Sequence, residues 1–377
     1  MAQPVIDETE LGTCKQNKGQ VERSKNRWRP ILATRFSFVV YVDSNPMRIP
    51  RVKVEGQSFY HCISRVVEGR FIFQTTGHGS LEAERFVQLM RRLEAFTGVR
   101  ILNYVLMANH FHLLCEVPEP KILSEPELLQ RIEAGYGPAR REALEQQLAP
   151  LRHQPDGVDQ IQRLLEPYRK RMYDISIFIK ELKGGFAQWY NRRHGRYGVL
   201  WAERFKSVLI QGGEALAAVS AYIDLNPVRA GLCADPKDYR YCGYAEALAT
   251  GSSLARLGIR TILGQPETSS WGEVSRQYRK LLFLKGTNTR RPAFDLATAQ
   301  HVVEDQDGEL SLQEHLGCRI RYFTDGVILG SQCFVESHFD RLKQMLGFRR
   351  LRGPRSLQAL GSPSLWVFRE PRVGPSG

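Results

Sequence analysis

The pattern of apolar and polar positions predicts three β-strands before the middle of the chain. Residues 58–67 are rich in aromatic and β-branched side chains, which are typical of strands. Residues 100–107 and 110–117 are two short, mostly apolar runs separated only by Ala108-Asn109. Such runs are consistent with buried strands, and their separation by two residues predicts a hairpin.

Helical periodicity follows each group of strands. Apolar residues recur three and four positions apart between Ser80 and Gly98, which predicts a first helix with Gly98 at its end. A long amphipathic helix is expected from Asp174, a typical capping residue, to about Tyr190. Residues 200–210 are interpreted as one more strand, and residues 214–225 as a helix that Asn226-Pro227 terminates.

The order of these elements predicts an α+β fold with an antiparallel sheet backed by helices. Residues 51–245 would form this domain, with residues 118–172 as a helical insertion because they are charged, interrupted by proline and helical in period. Residues 1–50 are expected to be an N-terminal extension. Residues 246–377 shift to loops and short helices, of which residues 332–346 are the clearest, and their role is unknown.

Two histidines lie in the apolar run that begins after Asn109. Side chains alternate across a strand, so His110 and His112 share one face while Phe111 points to the other. Two neutral imidazoles side by side can hold a metal ion. They can equally be two polar residues on a half-buried strand, and the motif alone leaves both interpretations open.

A tyrosine and an asparagine share a face of the helix predicted at residues 214–225. Tyr222 and Asn226 are four residues apart, so they lie one turn apart, beside the apolar stripe that contains Val219 and Ile223. This is the pattern of a tyrosine at the edge of the core with an asparagine that stops the helix. It would also place a phenol next to an amide.

Composition favours a polyanionic partner and a reducing compartment. The 377 residues carry 53 Lys+Arg against 40 Asp+Glu, a net charge of +13, which favours nucleic acid as a partner. The 7 cysteines form no C-x-x-C pair and their number is odd, as expected in a reducing environment. No segment approaches the ~20 apolar residues needed to cross a bilayer. We therefore expect a cytoplasmic protein that binds no membrane.

Three segments together resemble a known family. These are His110-Phe111-His112, the run Tyr222-Ile223-Asp224-Leu225-Asn226-Pro227-Val228-Arg229, and the segment Asn191-Arg192-Arg193-His194-Gly195. They resemble the single-tyrosine HUH transposases, and within that family the REP-associated tyrosine transposases and their insertion-sequence-200-type relatives. The resemblance covers roughly residues 50–245 without the insertion. Ala108 stands where the motif commonly has proline, a departure in the turn rather than in a ligand.

The resemblance implies a ferredoxin-like sheet and a metal-dependent strand transferase. It implies that His110, His112 and Asn226 bind Mg²⁺ or Mn²⁺ and that Tyr222 is the nucleophile. The product of attack would be a covalent 5′-phosphotyrosine, and the substrate single-stranded or hairpin DNA. The protein would act as a monomer or a homodimer.

Further residues are weaker candidates. Tyr190, four residues before His194, is a rival nucleophile. Glu116 falls on the histidine side of its strand, where it could orient an imidazole. The predicted DNA-backbone contacts are Arg192, Arg193, Arg196, Arg204 and Lys206.

Two other functions remain open from the sequence. One is a DNA-hairpin-binding protein that keeps the fold without the reaction. The other is a metal-dependent hydrolase, since His-x-His with one more ligand can also hold Zn²⁺. The hydrolase needs a general base and gives Tyr222 no role.

Overall fold

The computed structural model describes residues 51–73, 79–249, 252–286, 323–324, 326–346, 353–357 and 364–369. The predicted N-terminal extension, residues 1–50, lies outside these described residues. The strands and helices below are those of the described part of the chain.

One mostly antiparallel sheet runs through this part of the chain. Its seven strands are β1 (Ser58–Arg65), β2 (Arg100–Met107), β3 (His110–Val117), β4 (Lys206–Ile210), β5 (Gly326–Gly330), β6 (Arg355–Ser356) and β7 (Trp366–Arg369). They lie in the order β2-β3-β1-β4-β5-β7-β6, and the β4–β5 pair is parallel. The predicted α+β fold class is confirmed.

The described part of the chain also forms helices. They are α1 (Leu81–Thr97), α2 (Glu125–Tyr136), α3 (Pro138–Leu151), α4 (Gly157–Arg169), α5 (Ile175–Arg193), α6 (Glu214–Asp224), α7 (Asn226–Arg229), α8 (Gly243–Ala249), α9 (Ser253–Leu263), α10 (Trp271–Gly286) and α11 (Gln332–Leu346). No helix of the described ranges is both long and apolar enough to span a membrane.

The first four strands have a ferredoxin-like arrangement. The chain runs β1-α1-β2-β3-α5-β4 once the insertion is left out, and the strands lie in the order β2-β3-β1-β4, all antiparallel. The predicted hairpin is present, with Met107 paired to His110 across the turn. Helices α1 and α5 pack on one face, where Phe86 contacts both Phe111 of β3 and Phe186 of α5.

Local capping signals set the ends of these two helices. The Ser80 side chain accepts a hydrogen bond from the backbone at the start of α1, and Gly98 ends that helix at φ 76°. Asp174 accepts two backbone hydrogen bonds at the start of α5, as predicted. Helix α5 continues to Arg193 instead of ending near Tyr190.

The strand predicted at residues 200–210 is shorter than expected. Only Lys206–Ile210 pairs continuously with β1, and Trp201 makes an isolated bridge to Val66. Residues 202–204 between them are exposed. These residues have no large apolar side chain to bury, so continuing the strand through them would add little stability, and the chain leaves the sheet there.

The predicted helical insertion consists of α2, α3 and α4. These helices share a small apolar core of their own, which also contains Phe96 from the end of α1. Its main buried side chains are Leu128, Ile132, Leu144, Leu148 and Leu165. The insertion therefore packs beside α1, away from the sheet.

The three strands among the described residues beyond 245 belong to the same sheet. Leu209 of β4 pairs with Ile328 of β5, so β5, β7 and β6 extend the ferredoxin-like strands. The predicted helix at residues 332–346 is confirmed as α11. The three strands were not predicted. Phe323, just before β5, is buried in the main core.

Candidate active site

The two histidines of β3 lie on the face of the sheet opposite α1 and α5. His112 pairs with Ile63 of β1, and Phe111, one residue earlier, packs against Phe86 on the other side. We call the side that carries His110 and His112 the histidine face. His112 is 3% exposed and His110 is partly exposed. Their ring centroids are 5.1 Å apart, so two imidazoles stand together as the sequence predicted.

An asparagine in the turn orients His110. Asn109 Nδ2 donates to the Gly69 carbonyl at 3.0 Å, which directs its Oδ1 towards the 2.7 Å contact with His110 Nδ1. Since a carbonyl oxygen only accepts, His110 Nδ1 carries the proton of this bond. The Nε2 atom of a neutral His110 therefore has a free lone pair.

Both imidazoles are held in the neutral form. Burial, with a smaller effect of the nearby Arg65 charge, lowers the pKa of His110 from 6.5 to about 4. Burial also lowers the pKa of His112 well below its usual value, and the neighbouring His61, His110 and Arg65 add to this effect. Neutral imidazoles are the form that binds metal ions.

Helix α6 brings Tyr222 against these rings. Val219 and Ile223 of α6 are fully buried, as the predicted apolar stripe requires, and Tyr222 beside them is 5% exposed. The Tyr222 ring meets His112 edge-on with 5.7 Å between centroids, and meets His61 in the same way at 6.1 Å. The structure therefore brings together Tyr222 and His112, which are far apart in sequence.

Two further side chains lie on the Tyr222 ring. The Phe323 ring is tilted against it with 5.2 Å between centroids, and the Arg229 guanidinium carbon is 5.5 Å from its centroid. The Nε atom of Arg229 is buried and has no hydrogen-bond partner within the described ranges. The phenol is thus enclosed by imidazole, phenyl and guanidinium groups.

Asn226 lies one turn beyond Tyr222. Its Nδ2 donates to the backbone carbonyls of Tyr222 at 3.0 Å and Ile223 at 3.3 Å. These acceptors fix the orientation of the amide, so Oδ1 points away from them and is available as a ligand. Two imidazole nitrogens and one amide oxygen form a mixed nitrogen and oxygen donor set, of a kind that a divalent transition-metal cation can bind.

No group of three or more His, Cys, Asp or Glu side chains in the described residues is arranged to hold a metal ion. The expected set contains only two residues of these types, because its third member is an asparagine. The fit of this site to a cation therefore depends on the available lone pairs of His110, His112 and Asn226.

Buried hydrogen bonds fix α6 to the sheet beside the site. Asn103 of β2 donates to Asp224 Oδ2 at 2.8 Å, and the Tyr278 hydroxyl of α10 donates to the same oxygen at 2.6 Å. Asp224 is fully buried, which raises its pKa to about 6. Although Asp224 falls between Tyr222 and Asn226 in sequence, its contacts are with the scaffold.

Glu116 lies at the far end of β3 from the histidines. Its carboxylate contacts Arg100 at 2.8 Å and accepts from Gln57 at 2.7 Å. It lies four positions beyond His112 along the strand, a distance of roughly 13 Å at the usual rise per residue. None of the contacts of the described residues joins Glu116 to an imidazole, so its predicted orienting role has no support in this geometry.

The rival nucleophile Tyr190 lies on the opposite side of the sheet. Its ring packs on Phe186 with 6.0 Å between centroids and on His194 at 4.2 Å. Phe186 belongs to the cluster that covers Phe86 and Phe111. The sheet therefore separates Tyr190 from His110 and His112.

The predicted DNA-contacting residues fall in three groups. Lys206 pairs with Ile63, which itself pairs with His112, so Lys206 lies on the histidine face and is exposed. Arg192 and Arg193 are exposed near the end of α5, on the other side of the sheet, and Arg193 is 3.8 Å from Glu82. The remaining two lie in the connection to β4, where Arg204 is exposed and the guanidinium carbon of Arg196 is 5.8 Å from the Tyr190 ring.

Sequence reasoning missed several residues of this site. His61 could be seen as a histidine in a predicted strand, but only the register of β1 on β3 puts it on the same face as His112. Arg229 was inside the tyrosine motif but was assigned no role. Phe323 had no local signal, since its contact with Tyr222 depends on the pairing of β5 with β4.

Comparisons with known proteins give a distant structural likeness. No family model and no curated protein matches the chain. A solved structure of a REP-associated tyrosine transposase bound to a REP hairpin is similar over 53% of this chain and 84% of that one. The two share 14% sequence identity and superpose with a TM-score of 0.34, values too low to support a conclusion about function.

Proposed function

We propose that this protein cleaves and joins single-stranded DNA through a covalent 5′-phosphotyrosine on Tyr222, on hairpin or palindromic repeat DNA. The observation that carries the proposal is the edge-on contact between the Tyr222 ring and His112, at 5.7 Å between centroids. An imidazole of the expected metal-binding pair and a phenol from a separate element meet there. The resemblance of the sequence motifs to single-tyrosine transposases supports the same reaction.

In the proposed step the Tyr222 hydroxyl attacks a phosphodiester. A bond forms between the phenolic oxygen and phosphorus, the bond from phosphorus to the 3′ oxygen breaks, and the phenol proton ends on the released 3′-hydroxyl. A 3′-hydroxyl of another strand can reverse the step, so strands are joined without a nucleotide cofactor. A phenol with an ordinary pKa near ~10 is a far better leaving group than an alkoxide, which suits this reversal.

The donors of His110, His112 and Asn226 would hold Mg²⁺ or Mn²⁺. Such a cation supplies neutralisation of the phosphate oxygens and polarisation of the phosphorus. The protein's own contribution is placement: β3 presents the imidazoles in the neutral form, and α6 holds the phenol beside them. The guanidinium of Arg229, next to the phenol, provides a positive charge for the same phosphate.

Because Tyr222 is enclosed, its hydroxyl must become accessible to DNA before it can react. With only 5% of Tyr222 exposed, we expect the side chains over its ring, such as Phe323, to shift when DNA enters. Action as a monomer or homodimer and a cytoplasmic location stay predictions.

The direct test uses the full chain and a labelled single strand that contains an inverted repeat from the DNA flanking its gene. With Mn²⁺ we expect a protein–DNA adduct that survives denaturation, and with a chelator none. The perfect duplex of the same sequence should give little adduct. Strand cleavage without any adduct would contradict the proposal and favour the metal-dependent hydrolase. Tight binding of the hairpin without cleavage would favour the non-catalytic DNA-binding protein.

A further inference from the structure

We propose that His61 is a positioning residue, which together with the Phe323 carbonyl fixes the tautomer of His112 so that its Nε2 can bind a metal ion. This inference rests on the proposed function only in taking His112 as a metal ligand. It also gives a structural role to residues beyond 245, because Phe323 comes from that region.

His61 and His112 are neighbours across two paired strands. His112 lies opposite Ile63, and His61 is two residues from Ile63, so both imidazoles are on the histidine face. His61 Nε2 is 3.0 Å from His112 Nδ1, a hydrogen-bond distance. The two rings are nearly parallel, at 22° with 5.1 Å between centroids.

A backbone carbonyl gives this hydrogen bond its direction. His61 Nδ1 is 2.8 Å from the Phe323 carbonyl oxygen, which can only accept, so Nδ1 carries the proton. In a neutral His61 the Nε2 atom must then accept. The bond to His112 is therefore donated by His112 Nδ1, and the lone pair of His112 lies on Nε2.

Burial keeps His61 neutral. Its side chain is 0% exposed, and none of the contacts of the described residues brings a carboxylate to it. A doubly protonated His61 would leave a positive charge in the interior without compensation, which is strongly unfavourable. The neutral form satisfies both of its hydrogen bonds without burying a charge.

The same arrangement is present at His110, built from different residues. There the Gly69 carbonyl fixes Asn109, and Asn109 accepts from His110 Nδ1. Each imidazole therefore donates through Nδ1 to a partner that a backbone carbonyl orients, and each has Nε2 free. Two independent hydrogen-bond chains with the same result are what a two-imidazole metal site needs.

The first test is spectroscopic and uses the metal-free full chain without DNA. Long-range proton–nitrogen NMR of ¹⁵N-histidine protein distinguishes the two neutral tautomers, and a His112→Gln spectrum identifies the signals of His112. We expect His112 with its proton on Nδ1 in the wild type. His112 with its proton on Nε2 would overturn the proposal without any variant of His61.

The second test compares two substitutions of His61. His61→Phe keeps a ring of similar size but accepts no hydrogen bond, and we expect Mn²⁺ affinity by calorimetry to fall about 10–100-fold. His61→Gln offers an acceptor to His112 and should retain more of the affinity. Wild-type affinity in His61→Phe, with circular dichroism confirming its fold, would overturn the proposal.

These readouts are independent of the proposed reaction. If no adduct forms on Tyr222 but His112 has the expected tautomer, the proposed function fails and this inference stands. If the adduct forms while His61→Phe binds Mn²⁺ normally, the inference fails and the function stands.

Discussion

The ring of Tyr222 on α6 and the ring of His112 on β3 meet edge-on with 5.7 Å between their centroids. Their residues are far apart in the chain, and the contact exists because α6 packs on the histidine face of the ferredoxin-like strands. Helices α1 and α5 cover the other face. One face of the sheet therefore packs against α1 and α5 in the core, and the other face carries the candidate site.

Loss of either imidazole should separate DNA cleavage from DNA binding. We expect His110→Ala and His112→Ala to abolish Mn²⁺-dependent cleavage and to lower Mn²⁺ affinity, because each removes a nitrogen lone pair. Hairpin DNA binding should persist, since it depends on phosphate contacts from lysine and arginine. The measurements are adduct formation, calorimetry with Mn²⁺ and a binding titration. Cleavage at the wild-type rate in either variant would contradict the metal assignment.

The salt dependence of DNA binding should identify the cationic residues that bind phosphate. Lys206→Gln removes a charge from the histidine face, and the salt slope of log K should fall by roughly 0.7 for each phosphate of a single strand that is no longer neutralised. Lys170→Gln in the insertion is the matched control, because its ammonium is also exposed but lies away from the sheet. Equal salt slopes for the wild type and Lys206→Gln would show that Lys206 does not contact a DNA phosphate. The same titration applies to Arg192, Arg193, Arg196 and Arg204.

The stability of the metal-free protein should fall as the solution becomes acidic. Burial lowers the pKa of His61 to about 4, whereas an unfolded histidine titrates near 6.5. At pH values between these two pKa values the unfolded chain binds more protons than the folded protein, so the free energy of unfolding increases with pH. The contribution of His61 to this free energy is therefore lost as pH falls from about 6.5 to about 4. His61 alone contributes on the order of 3 kcal/mol to this change.

Urea unfolding across this pH range measures the effect. His61→Phe removes a buried titrating group together with its hydrogen bonds to His112 and the Phe323 carbonyl, so its absolute stability will differ from that of the wild type. The loss of stability between about pH 6.5 and about pH 4 should nevertheless be smaller in this variant than in the wild type, because one buried group no longer titrates. An identical pH dependence for the two proteins would show that His61 titrates normally.

Close packing of α9 on β2 predicts that alanine in place of Gly258 destabilises the protein. A Cβ at Gly258 would lie 2.3 Å from the backbone carbonyl oxygen of Leu102, so Gly258→Ala forces the helix away from the strand. We expect a loss of about 2 kcal/mol in the free energy of unfolding. Gly184 in α5 has nothing within 4 Å of its Cβ position. Gly184→Ala should therefore stabilise the protein by about 0.5–1 kcal/mol, and stabilisation by Gly258→Ala would contradict the packing.

Local signals explain which parts of the fold could be predicted from the sequence. The ends of α1 and the start of α5 follow from Ser80, Gly98 and Asp174, whose capping roles depend only on near neighbours. The hairpin of β2 and β3 follows from a two-residue turn between apolar runs. Strands β5, β6 and β7 are short, and their pairing depends on distant residues, so no local pattern marked them.

The candidate site divides in the same way. From the sequence, the alternation of side chains in β3 predicted that His110 and His112 share one side of the strand. The helical spacing of apolar residues likewise predicted that Tyr222 lies at the edge of the core. The roles of His61 and Phe323 required the register of β1 on β3 and the contact made by residues before β5. Those are tertiary relations, which one sequence does not contain.

The measurement that tests the central claim most directly is adduct formation by Tyr222→Phe. The substitution removes one oxygen and leaves the buried ring, the helix and the imidazoles in place, so we expect a folded protein that still binds hairpin DNA and Mn²⁺. A merely structural tyrosine would lose about 1 kcal/mol of stability with its hydroxyl and keep the activity. The account predicts no covalent adduct and no strand cleavage for Tyr222→Phe, while Tyr190→Phe retains both. Cleavage of the labelled hairpin strand by Tyr222→Phe would contradict the account.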